Sequence, residues 1–555
     1  MTDSKQTYLS LSTGPIYDSM NQARSTRALW SASYLFSYFM KNVINKLRKE
    51  NYKFLVPYID NNDLFTVPLK CGLFHDRFIF LQKNQEDFIK LQNVVKDEVK
   101  FIAKLIATDL NENITTVYEY IQNHFRNCLL QIDIGEDENP IELIDKLLDT
   151  QELQPQFNQK EDRSYLKEFF ELKGVKKRRN FLIREAFAKE ILDDDFNKVR
   201  FSSIPEITTA EVSIPLLNRN GGKKDYWSIF GHDQKNPFEA LKSCIQTKLL
   251  RYHKYFAVLQ ADGDHLGKLI AQLFSASIGP VEERFKGLSE ALFNFDIAAI
   301  KVIEDYGAMA VYVGGDDILC LAPLKCQGKN IFTLVEDLDK VFHKTVIEAP
   351  QLADALSKVA QLPTMTYGIS ISYYKHPMNE ALTEAFTQMR VIAKKKRNSV
   401  SFKLLKHSGS HFGACFKKPE KSDEENSKLS DELKEKTLYK NHFLPMLTFK
   451  FADSKGNEKT SNFLSSLQYK LNTNHGVLEA ILGKEIAIQA FFDNNFNETI
   501  HQNSTFIKAV QESVKQAWKE TDYISDDSER RKQTIADVHA MLRYVQFINQ
   551  KANDE

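Results

Sequence analysis

Two glycines followed by two adjacent carboxylates stand in YVGGDDIL, Tyr312 to Leu319. Carboxylates held this close repel one another and favour a divalent cation. A second acidic stretch, ADGDHLGKL from Ala261 to Leu269, sets Asp262, Gly263 and Asp264 between an apolar run and a helix-spaced one. Acids from two separate stretches meeting around a pair of divalent ions, about 3.5–4 Å apart in such sites, are suited to transfer at a phosphorus atom. The candidate catalytic and metal-holding residues are therefore Asp262, Asp316 and Asp317. Gly263, Gly314 and Gly315 leave room for a nucleotide to approach the backbone. Asp264 is expected to cap the helix that follows, and His265 to lie on that helix's exposed first turn. The start of that helix is also a place that receives phosphate. At this point a tight hairpin with a solvated Asp pair accounts for the GGDD residues equally well.

The elements that position these acids are legible in the pattern. AVYV before the glycines and ILCL after the acids read as buried strands joined by a hairpin. Upstream, a strand from Phe256 to Leu259 runs into Asp262, and a helix carries Leu266, Leu269, Ile270 and Leu273. Strand–Asp–helix followed by strand–GGDD–strand is a palm arrangement. TMTYGISISYYKHP continues it as a strand with Thr366, Gly368 and Ser370 on one face, followed by a helix ending in Lys394, Lys395, Lys396 and Arg397. Cations at a helix C-terminus are ordinary; a phosphate or RNA contact is the functional alternative. The chain opens on a similar unit, a strand from Tyr8 and a long helix from about Ser19 to Glu50, with Ser12, Thr13 and Gly14 where the later unit has its acids.

ADGDHLGKL together with YVGGDDIL resembles the palm, or nucleotidyl-cyclase, domain of the large subunit of type III CRISPR RNA-guided effector complexes, more closely than it resembles the GGDEF diguanylate cyclases. GPIYDSMNQARSTRALW, with Arg24, Arg27 and Trp30, resembles the opening of that subunit in the Cmr branch, type III-B. The resemblance implies an α+β chain of two ferredoxin-like palms with helical domains between and after them. The expected division is a degenerate first palm over 1–87, a mainly helical insertion over 88–209, the GGDD palm over 210–406, a charged linker over 407–437 and a helical domain over 438–555. It implies target-RNA-activated nucleotidyl transfer from ATP with Mg²⁺ or Mn²⁺, giving adenylate-linked second messengers, with S-adenosylmethionine as another possible acceptor. Its implied partners are guide CRISPR RNA, target RNA and the other Cmr subunits. The palm helix of cyclases ends in Ala-Lys, which favours Lys394 as a nucleotide-phosphate contact. A free-standing cyclase and a non-catalytic scaffold are the alternative functions.

The totals bound what else the chain does. Its 555 residues suffice for about three or four domains. With 74 basic and 74 acidic residues the net charge is zero, so any nucleic-acid surface is a local patch. Lys176 to Arg179 is one such basic run, read first as a solvated helix end. Six scattered cysteines form no CxxC, which argues against a zinc site or disulfide framework and for a cytoplasmic protein. No apolar run approaches the roughly 20 residues that cross a bilayer. The dipeptides His75-Asp76 and His232-Asp233 are read as turn and loop residues, and because the palm-like opening begins within twenty residues no HD nuclease is expected. Ala210 to Trp227 reads as an extended segment, and the region after Leu438 as helices.

Overall fold

Apolar alternation through TYLSLS builds β1 (Lys5–Gly14), and the main elements of the first unit follow as α1 (Thr26–Arg48), β2 (Phe54–Val56), β3 (Arg77–Leu81), α2 (Asp87–Leu110) and β4 (Arg126–Gly135). They come from a computed structural model that describes residues 5–68, 70–153, 163–171, 180–192, 201–217, 229–230, 236–244, 249–275, 280–419, 436–449, 451, 457–496 and 504–550. The sheet runs β2–β3–β1–β4 with antiparallel neighbours. Leu9 and Leu11 of β1 and Phe78 and Phe80 of β3 share a core with Leu29, Leu35, Phe36, Phe39 and Val43 of α1. That helix stripe is the amphipathic face expected of a helix lying on a sheet. The Ser25 side chain accepts the Ala28 N–H at its start.

The second unit repeats the plan. β5 (Tyr255–Asp264) leads through α3 (Leu266–Ser275) and α4 (Val281–Tyr306) to the hairpin β6 (Met309–Gly314) and β7 (Asp317–Pro323). Helix α5 (Ile331–Phe342) then leads to β8 (Thr364–Tyr373), α6 (Met378–Phe386), β9 (Ser399–Leu405) and β10 (His411–Lys417). Its sheet runs β10–β9–β8–β5–β7–β6, so the order β6–β7–β5–β8 matches β2–β3–β1–β4 strand for strand. Both are the βαββαβ arrangement of a ferredoxin-like palm. Period-two alternation divides β5 between two cores: Ala257, Leu259 and Ala261 face one, and Phe256 and Val258 face the core shared with the first unit. The segment before β3 touches the second sheet directly, where Val313 N–H donates to Gly72 O at 3.2 Å.

After Leu438 the described residues are helical, ending in α7 (Ser504–Glu520) and α8 (Asp527–Asn549). Tyr544 of α8 lies 5.3 Å, ring to ring, from both Phe332 and Phe402, and Phe547 lies 4.9 Å from Tyr255. No described helix is long and apolar enough to cross a membrane.

The structure corrects several boundaries. β4 falls inside the stretch expected to be mainly helical; as a largely half-buried edge strand it carries little apolar alternation, yet it pairs with β1 over its whole length. β10 extends the second sheet past residue 406 into the expected linker. Ala210 to Leu217 is a helix rather than extended chain, Pro215 notwithstanding; its apolar side chains Ala210, Ile214 and Leu216 each reach a core. The long first helix begins at Thr26, preceded by a separate short helix over Ile16–Asn21. The basic run 176–179, His232-Asp233, residues 218–227 and residues 420–435 lie outside the described residues.

Candidate active site

The β6–β7 hairpin closes on Gly314 paired with Asp317, and Ala261 of β5 pairs with Ile318 of β7. This register brings Asp262 and Gly263 beside the hairpin tip, so residues more than fifty positions apart meet at one sheet edge. Two glycines are required there. A Cβ on Gly263 would stand 2.6 Å from Asp316 Oδ2, and Gly315 turns with φ +70°, a conformation other residues resist. Asp316 lies against β5 and accepts a backbone hydrogen bond from Gly263. Gly314 is packed under the Tyr312 ring.

Electrostatics separate the four aspartates by role. Burial would raise the Asp264 carboxyl, but the Thr366 hydroxyl at 2.6 Å, Lys394 at 3.0 Å and the Asn398 N–H at 2.9 Å together hold it below the usual range. Asp264 is thus a satisfied structural carboxylate braced on β8, and not the helix cap expected from the sequence; its oxygens are turned away from α3 toward stronger donors. His265 precedes α3 in the left-handed conformation, φ +63°, half-buried beside Arg397. The other three acids are under-neutralised. Burial and then the charge of Asp316 raise Asp262, against the pull of Lys394. Burial raises Asp316, again against Lys394. Asp317 opens to solvent on its outer edge, yet lost solvation in the cleft and the charges of Asp316, Asp262 and Asp76 push it well above the carboxylate range. Such crowding marks a site that gains by taking up a cation.

A cation of the protein's own already sits there. Lys394 Nζ is 3.1 Å from Asp262 Oδ2, 3.0 Å from Asp264 Oδ1, and 2.5 Å and 3.2 Å from the carbonyls of Gly263 and Asp262. No three Asp, Glu, His or Cys side chains among the described residues are grouped closely enough to hold an ion. The donors around this seat are all oxygens, carboxylate and carbonyl, which suits a hard cation such as Mg²⁺ or Mn²⁺. Lys394 reaches the seat from the end of the helix that begins as α6 and continues through a π-helical segment, Thr387–Ala393.

Three contributors escaped the sequence. Asp296 of α4 is fully buried beneath the turn and accepts the Gly315 N–H at 2.9 Å; burial, only partly offset by that bond, raises it well above the carboxylate range. A lone acid three residues after Phe293 on an apolar helix face was the available signal. His75 of the first unit fills the space beside Gly315 that a Cβ would need, and burial lowers its pKa to about 4. The His75-Asp76 pair is a turn into β3, as its sequence suggested: Thr13 N–H donates to Asp76 O at 2.9 Å. Its proximity to the acidic hairpin follows only from the packing of one unit on the other. Arg390, the third, lies near enough to lower both Asp262 and Asp317.

Two family descriptions match this chain. "Cas10/Cmr2, second palm domain" covers residues 255–401, and "CRISPR-associated protein Cmr2, N-terminal" covers residues 8–119. The CRISPR system Cmr subunit Cmr2 of Pyrococcus furiosus is 27% identical over 183 residues, a span of 29% of this chain and 19% of that protein. Among solved structures, a type III-B Cmr-beta complex bound to cognate target RNA contains a similar chain at 12% identity and TM-score 0.49, covering 88% of this chain and 78% of that one. A Csm1-Csm4 cassette in complex with AMPPNP matches at 12% identity and TM-score 0.45, over 99% and 70%.

Proposed function

We propose that the chain, two stretches of which match Cas10/Cmr2 family descriptions, is the nucleotidyl-transferring large subunit of a Cmr-type, RNA-guided complex, making adenylate-linked messengers from ATP when the guide RNA pairs with target RNA. The observation that carries this is the convergence of Asp262, Asp316 and Asp317, all under-neutralised, on one edge of a palm sheet. Asp262, Asp316 and Asp317 would hold divalent cations there. Bound there, such cations neutralise phosphate charge and lower the pKa of a ribose 3′-hydroxyl.

The chain's residues then serve one displacement. The 3′-oxygen, losing its proton to solvent, forms a bond to the α-phosphorus of an ATP, and the bond from that phosphorus to the oxygen of the β-phosphate breaks to release pyrophosphate. The space beside Gly263, Gly314 and Gly315, expected to admit a nucleotide, is taken up by Asp316, Tyr312 and His75, and Lys394 and Arg390 supply the cationic side chains nearest the acids. Positioning and charge carry such a transfer, since phosphoryl chemistry needs little covalent help. The first palm, with Ser12 and Thr13 where β5 has acids, faces the site as a structural partner.

The test uses the chain assembled with its partner subunits, ATP, Mg²⁺ and target RNA. Asp316→Ala combined with Asp317→Ala abolishes nucleotide turnover; equal turnover in variant and wild type rejects these acids. Mass spectrometry of the product identifies the acceptor, a second adenylate or S-adenosylmethionine.

A further inference from the structure

The acidic hairpin is held from outside its own unit. Residues 71–76 run as a strap between the two sheets: Gly72 O receives Val313 N–H, Phe74 N–H donates to Ser37 Oγ at 2.9 Å, and Asp76 O receives Thr13 N–H. The strap delivers the His75 ring onto Gly315, where a substituted Cβ would stand 2.9 Å from Nε2 and still closer to the ring carbon between the nitrogens. The same ring meets Phe293 of α4 edge-on, with centroids 6.4 Å apart at 74°. Phe293 and Asp296 are three residues apart on α4 and so share a face. From that face Asp296 Oδ2 takes the Gly315 N–H. Gly315 is the residue whose left-handed conformation directs the chain into Asp316 and Asp317.

We infer that His75 is a positioning residue for the acidic hairpin: its ring from the first unit and the Asp296 carboxyl group from α4 grip the Gly315 peptide from two sides and fix the directions in which Asp316 and Asp317 project. The role of those acids as cation ligands rests on the function proposed above; the grip itself does not. The first unit, which has no counterpart of Asp262 or of the GGDD turn, therefore supplies a part of the site, and a shift of one unit against the other reaches the hairpin through the His75 imidazole and the Gly72–Val313 hydrogen bond.

Hydrogen exchange in the full chain tests this on the peptide spanning Tyr312 to Leu319, together with Mn²⁺ binding read by electron paramagnetic resonance. His75→Ala and Asp296→Ala each speed exchange in that peptide by about three- to tenfold, the size expected from losing one aromatic contact or one hydrogen bond. Peptides of β8 to β10 exchange as in wild type. Mn²⁺ affinity falls in parallel, His75→Phe restores most of both, and Asp296→Asn, which keeps an acceptor, does likewise. Should His75→Ala not fold, His75→Gln, which keeps length and polarity without the flat ring, gives the same local increase. Wild-type exchange in the hairpin of His75→Gln, or an increase spread evenly over the palm, overturns the positioning role. A wild-type chain that binds no Mn²⁺ while the hairpin still loosens in His75→Ala overturns the cation reading of the acids and leaves the grip standing.

Discussion

Replacing Lys394 with methionine removes the ammonium from the acidic seat while keeping most of the side chain's volume. The ammonium pairs with Asp262 and Asp264 at 3.1 and 3.0 Å, and Asp264 is 1% exposed against 21% for Lys394 and 22% for Asp262. Breaking a buried pair from one side costs about 3–5 kcal/mol. The partial exposure of two of the three groups places this case at the lower end, about 3 kcal/mol. For a palm of this size that lowers Tm by roughly 6–12 °C in EDTA. A divalent ion meets opposite circumstances in the two proteins. In wild type it displaces the ammonium; in Lys394→Met it enters a seat already vacated and excessively negative. At a hundredfold excess over its Kd an ion stabilises the fold by about 2.7 kcal/mol, so Mn²⁺ restores most of the variant's loss. Thermal unfolding of the full chain, with EDTA and then with Mn²⁺, is the assay. The expected outcome is a low Tm for Lys394→Met in EDTA, a large rise with Mn²⁺, and a smaller rise for wild type. Equal Mn²⁺ shifts in both proteins refute the idea that ammonium and divalent ion compete for one seat.

Gly368→Ala acts on the same helix from below. An added Cβ in β8 would lie 2.6 Å from Met389 Cα and 2.5 Å from Ala385 O, both backbone, so neither yields by rotating a side chain. The palm loses at least about 2–3 kcal/mol by urea denaturation, and turnover falls because the helix bearing Lys394 is pushed off the sheet. Asp537 gives a pH signature remote from the site. Burial raises its carboxyl from 3.8 to about 6 despite Lys396 and a hydrogen bond from Gln533. The folded chain holds this proton more tightly than the unfolded one, so its contribution is full below pH 3.8 and is lost as pH rises through about 6. Asp537→Asn therefore matches wild type in acid and exceeds it at pH 7.5 by up to about 3 kcal/mol, measured by chemical denaturation at both pH values.

The acidic hairpin and the strand–Asp–helix unit were legible because both sit on strongly periodic apolar runs, and periodicity is what one chain displays about itself. Asp262 and the GGDD tip come together as the β5–β7 register requires. β4 was missed because an edge strand buries little and so alternates little. Asp264 was misplaced because its position before a helix suggests a cap, while the donors that claim it, Thr366, Lys394 and Asn398, come from over a hundred residues away. His75 shows the same limit: its local turn is written in the sequence, but its neighbour Gly315 belongs to another unit.

Tyr544 and Phe547 belong to the aromatic stack that includes Phe402, Phe443 and Tyr255, so the last long helix is part of the lid on the second sheet's far face. Arg251, at the entrance to β5, is tied to that helix's end by its N–H to Gln550 O at 2.9 Å. Excising the palm at the acidic stretch after Pro419 would thus lay bare an apolar slab and untie the strand that carries Asp262. The smallest self-sufficient piece around the second palm is discontinuous: it needs the palm and the final helix together, and a protease cut between them leaves two fragments that must stay associated to remain soluble.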